Sequence, residues 1–265
     1  MNIKKQTAET TGNSILAHQK LSFAATEAYK LLRTNLMFSL PDYQKCRVVG
    51  VTSSVRGEGK STTAVNLSYT LAETGKKVLL IDADLRLPSV GKKLEIESVP
   101  GVTNVIAGTC DLSQAIRTWE DAPDWGVLPS GDIPPNPTEM LGSPQMQTLM
   151  TTLSESYDFI IVDLPPVNIV SDALVMSSLL DGMLVVVREN YSERRALNNC
   201  TRQLELSNVK VLGFVMNVTS EGSGKYGRYS KNKYYKQSKN YHSYGYGQDP
   251  EKERTLDQTA KRSGK

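Results

Sequence analysis

Short runs of β-branched and other apolar residues recur along this chain, separated by stretches long enough to form helices. Most of the runs show no alternation of polar and apolar residues, which is typical of strands covered on both faces. Strands of this kind that alternate with helices predict an α/β domain with a mostly parallel central sheet flanked by helices. The predicted strands cover residues 47–54, 77–84, 125–131, 157–166, 181–189 and 209–217.

Both ends of the chain differ in composition from this central part. The segment FAATEAYKLLRTNLMF at residues 23–38 has the apolar spacing of a helix, and Pro41 follows it as a stop signal. The first twenty residues are polar, and VTSEGSG after residue 217 reads as a linker. We therefore expect a flexible N-terminus at 1–20, one domain at 21–220 and a flexible tail at 221–265.

The predicted tail carries the basic charge and most of the tyrosines. Residues 221–265 hold eleven basic and five acidic residues, so the rest of the chain holds twenty and twenty-three. The segment 225–247 contains seven of the twelve tyrosines and no acidic residue. A segment this polar buries too little apolar area to offset its ordering entropy, which predicts disorder.

Several classes of protein are disfavoured by composition. The three cysteines are widely spaced, without a paired zinc or disulfide motif, which fits a reducing cytoplasm. Both histidines, His18 and His242, lie in polar segments, so a histidine triad or metal cage is disfavoured. No signal peptide is recognisable, and the longest apolar runs are too short to span a bilayer. We expect any membrane association to depend on a partner.

The run VVGVTSS leads through the turn VRGEG into KSTTAVNLSYTLAETG, which places a glycine-containing turn between a strand and a helix. This context predicts a phosphate-binding loop. Gly57 and Gly59 would let backbone N–H groups approach an anion, Lys60 would add positive charge, and the Ser61 hydroxyl would bind magnesium. Ser54 replaces the first glycine of the usual pattern, so a turn that binds nothing remains the alternative. The predicted nucleotide-binding residues of the loop are Gly57, Glu58, Gly59, Lys60, Ser61 and Thr62.

Three aspartates follow two of the predicted strands. Asp82 and Asp84 come at the end of LLIDAD, and Asp163 ends FIIVD. Each could be an ordinary helix-capping or turn residue. Carboxylates at buried strand ends are costly to desolvate without a cation or hydrogen-bond donors, and ligands gather at this edge of parallel sheets. Three beside one phosphate loop predict a magnesium–nucleotide site.

The stretches EGKSTTAVNLSYTLAETGKKVLLIDADLRLP and FIIVDLPPV resemble the bacterial tyrosine kinases of capsule and exopolysaccharide loci. EAYKLLRTNL, GVTNVIAG, LPSGDIPPNPTEMLGS and the terminal tyrosine cluster agree, so the likeness covers about residues 20 to 246. It is nearest to the free-standing cytoplasmic kinases of Gram-positive bacteria, the CpsD type. The resemblance implies a P-loop NTPase fold with a deviant Walker A motif, similar to the ParA and MinD ATPases.

The resemblance also implies roles for individual residues, with ATP and Mg²⁺ as cofactors. Lys60 would bind phosphate, and Asp84 is the candidate catalytic base. Ser61, Asp82 and Asp163 would hold magnesium directly or through water. The predicted catalytic residues are Lys60, Asp82, Asp84 and Asp163. Asn217 ends GFVMN where related ATPases contact adenine, although a polar residue capping a strand explains it equally well.

The family's helix motif E-x-x-R-x-x-R, associated with ring assembly, corresponds here to Glu27, Lys30 and Arg33. Charges at this spacing lie near one helix face and could bridge subunits, but lysine cannot make the bidentate fork of arginine. An ordinary solvated helix face is the alternative. Arg56 stands where relatives often have proline.

The function that the resemblance implies is an ATP-dependent tyrosine kinase that regulates capsular or exopolysaccharide synthesis and export. We expect it to phosphorylate its own tail, in trans within a homo-oligomer, at Tyr226, Tyr229, Tyr234, Tyr235, Tyr241, Tyr244 and Tyr246. The implied partners are a membrane-bound activator that recruits the kinase from the cytoplasm to the inner face of the membrane, a cognate tyrosine phosphatase, and sugar-nucleotide enzymes as substrates.

Two other functions remain open on the sequence alone. A ParA- or MinD-like switch ATPase would use the same fold without kinase activity, although those that bind membranes directly usually end in an amphipathic helix, which residues 225–265 do not show. The basic, tyrosine-rich tail could instead bind single-stranded nucleic acid by stacking and phosphate contacts. Because the same residues serve a phosphoacceptor tail, we do not expect a nucleic-acid partner.

Overall fold

Seven strands form the centre of the computed structural model, which describes residues 21–40 and 46–217. The strands are β1 (Arg47–Ser53), β2 (Val78–Asp82), β3 (Arg117–Trp119), β4 (Ala122–Leu128), β5 (Phe159–Asp163), β6 (Gly182–Arg188) and β7 (Val211–Asn217). They lie in the order β3-β4-β2-β5-β1-β6-β7. All neighbours are parallel except β3 and β4. The prediction of a mostly parallel sheet is confirmed.

Helices connect the strands and cover both faces of the sheet. They are α1 (Phe23–Ser39), α2 (Lys60–Ala72), α3 (Val90–Leu94), α4 (Val102–Ile106), α5 (Leu112–Ala115), α6 (Pro137–Leu141), α7 (Pro144–Ser156), α8 (Asp172–Val175) and α9 (Arg194–Leu206), with a 3-10 helix at Met176–Leu179. The Ser22 hydroxyl caps the start of α1 and the Ser143 hydroxyl caps α7, each accepting from a backbone N–H of the first turn.

The strands lack polar alternation because each face of the sheet contacts its own apolar core. In β2, Leu79 and Ile81 pack into the core that includes buried residues of α7 and α9. Val78 and Leu80 pack into the opposite core, which includes buried residues of α1, α2 and α3. With both faces covered by helices, apolar side chains are favoured at every position of a central strand.

The sequence-based boundaries need correction at several elements. The predicted strand at 125–131 is β4, which begins at Ala122 and ends at Leu128. The strand predicted at 157–166 is limited to Phe159–Asp163, because the prolines that follow cannot donate ladder hydrogen bonds. The edge strand β3 was not predicted, since three residues carry too little periodicity to be recognised. The helix predicted at 23–38 is confirmed as α1.

The register of the central strands places the site aspartates side by side. Asp82 of β2 is paired with Asp163 of β5, and Val51 of β1 is paired with Asp163 on its other side. The carboxyl ends of these three strands therefore meet at one edge of the sheet.

Of the helices in the described residues, none combines the length and the apolar character needed to cross a membrane. The expectations for residues 1–20 and for the tail after residue 217 lie outside the described residues.

Candidate nucleotide-binding and phosphoryl-transfer site

The loop between β1 and α2 needs glycine at two positions. Gly57 and Gly59 have φ angles of 80° and 98°, in the left-handed region that favours glycine. A Cβ atom on Gly59 would also lie 2.0 Å from the Nδ2 atom of Asn217. Helix α2 begins at Lys60, directly after this turn, so its free N–H groups and the positive end of its dipole face the loop. This is the arrangement that binds phosphate.

The Glu58 carboxylate lies inside the base of the loop. Glu58 is fully buried. The Ser54 hydroxyl donates to its Oε1 atom over 2.9 Å, and the Val55 N–H donates to Oε2 over 2.9 Å. The Ser192 hydroxyl donates to the same carboxylate. Ser54, which replaces the first glycine of the usual motif, thus binds the Glu58 carboxylate inside the loop. Only the backbone of Glu58 is left to contact a nucleotide.

The segment that follows β6 braces the outer side of the loop. Arg188 donates from Nη1 to the Gly57 carbonyl over 3.1 Å, and the Tyr191 hydroxyl donates to the Arg56 carbonyl over 3.0 Å. The Arg188 guanidinium lies 5.0 Å from the centre of the Tyr191 ring. Sequence reasoning missed these residues because more than 130 positions separate them from the loop.

Asn217 supports the same loop from the end of β7. Its Nδ2 atom donates to the Glu58 carbonyl over 3.0 Å. The side chain also packs against Gly59. The structure therefore places Asn217 beside the phosphate loop, a position that the sequence did not predict. Its contact with adenine stays a prediction.

The Lys60 ammonium lies among the site aspartates. Its Nζ atom is 2.8 Å from Oδ2 of Asp84 and 3.3 Å from Oδ1 of Asp163, and it donates to the Ser61 hydroxyl over 3.2 Å. Burial acts to lower the pKa of Lys60, but the charges of Asp163 and Asp84 outweigh it and raise the pKa. Lys60 is therefore charged at neutral pH.

Asp82 and Asp163 are buried together at the strand ends. Asp82 accepts from the Ser89 and Val90 N–H groups over 3.1 and 3.0 Å. Burial, with the neighbouring charge of Asp163, raises the pKa of Asp82 to about 7. Burial also raises the pKa of Asp163. Both shifts disfavour the ionised carboxylates, chiefly because burial removes them from water.

One carboxylate oxygen of the Asp82–Asp163 pair has no hydrogen-bond partner among the described residues. The Oδ2 atom of Asp163 is buried and has no hydrogen-bond partner within the described residues. Buried carboxylate oxygens in this state favour a cation or an ordered water. Across residues 21–40 and 46–217, no three His, Cys, Asp or Glu side chains form a ready metal cage. Mg²⁺ bound with a nucleotide needs no such cage, because substrate phosphates and waters complete its coordination.

Arg86, two residues after Asp84, joins three connections of the fold. It donates to the buried Asp172 carboxylate from Nε over 2.8 Å and from Nη2 over 3.0 Å. The Nη2 atom also donates to the Thr138 hydroxyl over 2.8 Å, and Thr138 donates to Asp172 over 2.6 Å. Sequence reasoning missed Thr138 and Asp172, the two partners of Arg86. Nothing in their local pattern marks them, because the three positions are far apart in the chain.

The three residues predicted at an oligomer interface make contacts within the chain. Lys30 and Glu27 form an exposed ion pair of 2.8 Å on α1. Arg33 donates to the Thr70 carbonyl of α2 over 2.7 Å. Their role in assembly stays a prediction, as does the role of the seven tail tyrosines, which lie outside the described residues.

A phosphate loop at a helix N-terminus, with a lysine and aspartates at the ends of parallel strands, defines a P-loop NTPase fold. The profile of a family described as an AAA domain matches residues 46–210. The septum site-determining protein MinD of Pyrococcus horikoshii shares the fold, with a TM-score of 0.55 at 24% identity over 67% of this chain and 72% of that chain.

Nearer relatives define the class more narrowly. The tyrosine-protein kinase YwqD of Bacillus subtilis is 36% identical over 82% of this chain and 91% of the relative. The tyrosine-protein kinase CpsD of Streptococcus agalactiae is 34% identical over 77% and 87%. The kinase domain of the Escherichia coli tyrosine kinase ETK superposes with a TM-score of 0.74 at 27% identity, over 84% of this chain and 87% of that chain. The chain belongs to the bacterial tyrosine-protein kinases. The predicted fold class, family and enzyme class are confirmed.

Proposed function

We propose that this kinase uses ATP and Mg²⁺ to phosphorylate the tyrosine cluster at 225–247 in trans, within a homo-oligomer. The observation that carries the proposal is the position of Asp84, whose Oδ2 atom lies 2.8 Å from the Lys60 ammonium at the phosphate loop. A carboxylate held beside the phosphate-binding lysine is in a position to accept a proton from a tyrosine hydroxyl.

The residues of the site fit magnesium and ATP. The Oδ2 atom of Asp163, which has no partner among the described residues, and the hydroxyl of the buried Ser61 are oxygen atoms of the kind Mg²⁺ prefers. Asp82 would act through water, because backbone N–H groups occupy its carboxylate. Magnesium, when bound, would neutralise charge on the transferring phosphoryl oxygens. The solved cobyrinic acid a,c-diamide synthase of Mycobacterium smegmatis with a bound ATP analogue and magnesium has the same fold at 22% identity.

Each remaining group has one task in the transfer. Lys60 and the loop N–H groups would hold the phosphate oxygens, and Asp84 would take the phenolic proton. The tyrosine oxygen forms a bond to the γ-phosphorus, the bond from that phosphorus to the bridging oxygen breaks, and ADP leaves with the bridging oxygen. Because this chemistry depends mainly on positioning and charge neutralisation, the braced loop serves it directly.

The reach of the tail supports transfer between subunits. Tyr226 lies nine residues beyond Asn217, a span of at most about 30 Å in a fully extended chain. A short tether that folds back into its own site is strained, whereas a neighbouring subunit is within reach. Glu27, Lys30 and Arg33 on α1 would contribute to the subunit contact, with Arg33 exchanging its bond to α2 for one across the interface.

We further propose a role in capsular or exopolysaccharide production. A membrane-bound activator would recruit the cytoplasmic kinase to the inner face of the membrane, a cognate phosphatase would reverse its action, and sugar-nucleotide enzymes would be further substrates. Each added phosphate brings about −1.5 to −2 charges, so three or four would cancel the six basic residues of the segment 225–247. Phosphorylation would thereby weaken assembly that depends on the basic tail.

The proposal is tested by mixing unlabelled active kinase with a ¹⁵N-labelled Lys60→Ala chain, ATP and Mg²⁺. We expect phosphotyrosine on ¹⁵N peptides from residues 225–247, located by mass spectrometry, and none when Mg²⁺ is omitted. ATP hydrolysis without phosphotyrosine on either chain would instead support a switch ATPase. Phosphate on the unlabelled tail alone would contradict transfer in trans.

A further inference from the structure

Three large apolar side chains are exposed on connections that leave the carboxyl edge of the sheet. Leu87 follows β2 and is 52% exposed, Ile133 follows β4 and is 67% exposed, and Ile169 follows β5 and is 49% exposed. The strands β4, β2 and β5 are adjacent in the sheet. Since the carboxyl ends of parallel strands share one edge, the three connections leave the sheet at the edge that carries the site.

Hydrogen bonds hold these connections together. Arg86 on the first bonds to Thr138, where the second enters α6, and to Asp172, where the third enters α8. Leu87 comes directly after Arg86, and Ile169 lies three residues before Asp172. The exposed isoleucine of the second connection lies five residues before Thr138. The apolar side chains therefore flank a cross-linked unit.

Leu87, the first of these exposed residues, lies next to Asp84, the proposed catalytic base. The Leu87 N–H donates to the Oδ1 atom of Asp84 over 3.1 Å. A peptide that presents a tyrosine hydroxyl to Asp84 therefore comes within reach of the Leu87 side chain. The same connections expose the acidic residues Asp132 and Glu139, so apolar contact area and negative charge occur together.

We propose that Leu87, Ile133 and Ile169 form the surface on which the segment 225–247 of a second copy docks for phosphorylation, an inference that rests on the function proposed above. The segment has seven tyrosines, six basic residues and no acidic residue. Its rings bury apolar area against aliphatic side chains, and its basic residues face the exposed carboxylates. Composition and charge of the segment thus match those of the surface.

A second copy fits this surface better than the chain's own tail. The described chain ends on β7, and four strands separate β7 from β4. Five spacings of about 4.8 Å make about 24 Å across the sheet. Tyr226 has at most about 30 Å of extended chain in which to cover this and pass the phosphate loop. A neighbouring subunit can deliver the early tyrosines without such extension.

The test measures transfer to a ¹⁵N-labelled Lys60→Ala full-length acceptor by an Ile133→Ser/Ile169→Ser enzyme. We expect the KM for the acceptor to rise about tenfold, with the Kd for Mg·ATP, measured by calorimetry, within about twofold of the parent. Leu206→Ser is the matched control, because this residue is 74% exposed at the end of α9, away from the site. It should leave both constants unchanged.

Charge variants at one exposed position keep the test decisive if the double variant folds poorly. Ile133→Lys should raise the KM for the basic acceptor, and Ile133→Glu should lower it, whereas a merely structural role would move both in the same direction. Unchanged KM values in variants that still phosphorylate the acceptor would overturn the docking surface and leave the proposed function standing. Absence of transfer by the parent enzyme would overturn both.

Discussion

Arg86 binds Asp172 through two nitrogens, at 2.8 and 3.0 Å, and so connects the strand end that carries Asp82 and Asp84 to the start of α8. Asp172 is fully buried, whereas the Arg86 side chain is about a third exposed. The pair therefore neutralises a buried charge and leaves one face of the guanidinium in solvent.

We expect Arg86→Ala to lower the free energy of unfolding by about 2 to 3 kcal/mol, because it leaves the Asp172 carboxylate buried without a cation. The value is below that of a fully buried pair because solvent reaches Arg86. Arg86→Lys should recover part of the loss, since lysine keeps the charge without the two-nitrogen fork. Urea denaturation measures both. Equal stability of the alanine variant and the parent would show that the pair contributes nothing.

Asp84→Asn should lower kcat for tail phosphorylation by about 10² to 10⁴, the usual contribution of a general base. The fold should persist, because the asparagine carbonyl can still accept from the Leu87 N–H. Quench-flow measurement at saturating Mg·ATP isolates the chemical step. Asp121→Asn, an exposed residue in the β3–β4 turn, is the control. A kcat within about threefold of the parent would exclude Asp84 as the base.

Comparing Gly59→Ala with Gly75→Ala distinguishes the effect of steric crowding at the phosphate loop from the effect of backbone strain alone. Both glycines have positive φ, 98° and 74°, but a Cβ on Gly75 meets nothing within 4 Å, whereas one on Gly59 meets Asn217 at 2.0 Å. We expect Gly75→Ala to cost about 1 kcal/mol and to leave nucleotide binding intact. Gly59→Ala should cost more and abolish Mg·ATP binding, measured by calorimetry. Equal effects of the two changes would contradict the crowding.

The stability of the nucleotide-free protein should depend on Asp82. Burial raises the pKa of Asp82 from 3.8 to about 7, so the folded state holds a proton that the unfolded state releases. The stabilisation is complete below about pH 4 and is lost as pH rises to about 7. Relative to Asp82→Asn, the parent should therefore become less stable over this range in thermal scans.

Mg·ATP should remove that loss, because a bound cation favours the ionised carboxylates. Saturating ligand should also raise the unfolding free energy by about 2.7 kcal/mol at 100 times its Kd. The matching control is ATP with EDTA. If the stability of the nucleotide-free parent and that of the Asp82→Asn variant changed equally with pH, the pKa of Asp82 would not be raised by folding.

Much of the site could be read from the chain because its residues cluster in sequence. Gly57, Gly59, Lys60 and Ser61 lie within five positions of one strand–turn–helix, and the backbone geometry of that unit is local. Asp82 and Asp163 were recognisable as the last residues of two apolar strands. Parallel pairing then brings such ends together at one edge.

The hydrogen-bond and ion-pair partners of the site residues could not be predicted from the sequence. Glu58 is predicted among the nucleotide-binding residues of the loop, and only the structure shows that its carboxylate bonds to Ser54 and Ser192. Asp172 pairs with Arg86 across 86 positions. No periodicity or turn signal relates residues so far apart, because only the strand order brings them into contact.

The alternation of strands and helices, the glycine turn before α2 and the acidic strand ends could all be predicted from the sequence, because each depends on short-range backbone preferences and apolar patterning. Only the folded chain shows that Lys60 lies between Asp84 and Asp163, that Arg188 and Tyr191 hydrogen-bond to the loop, and which apolar residues are exposed. Those relationships depend on packing between distant segments, which local preferences do not encode.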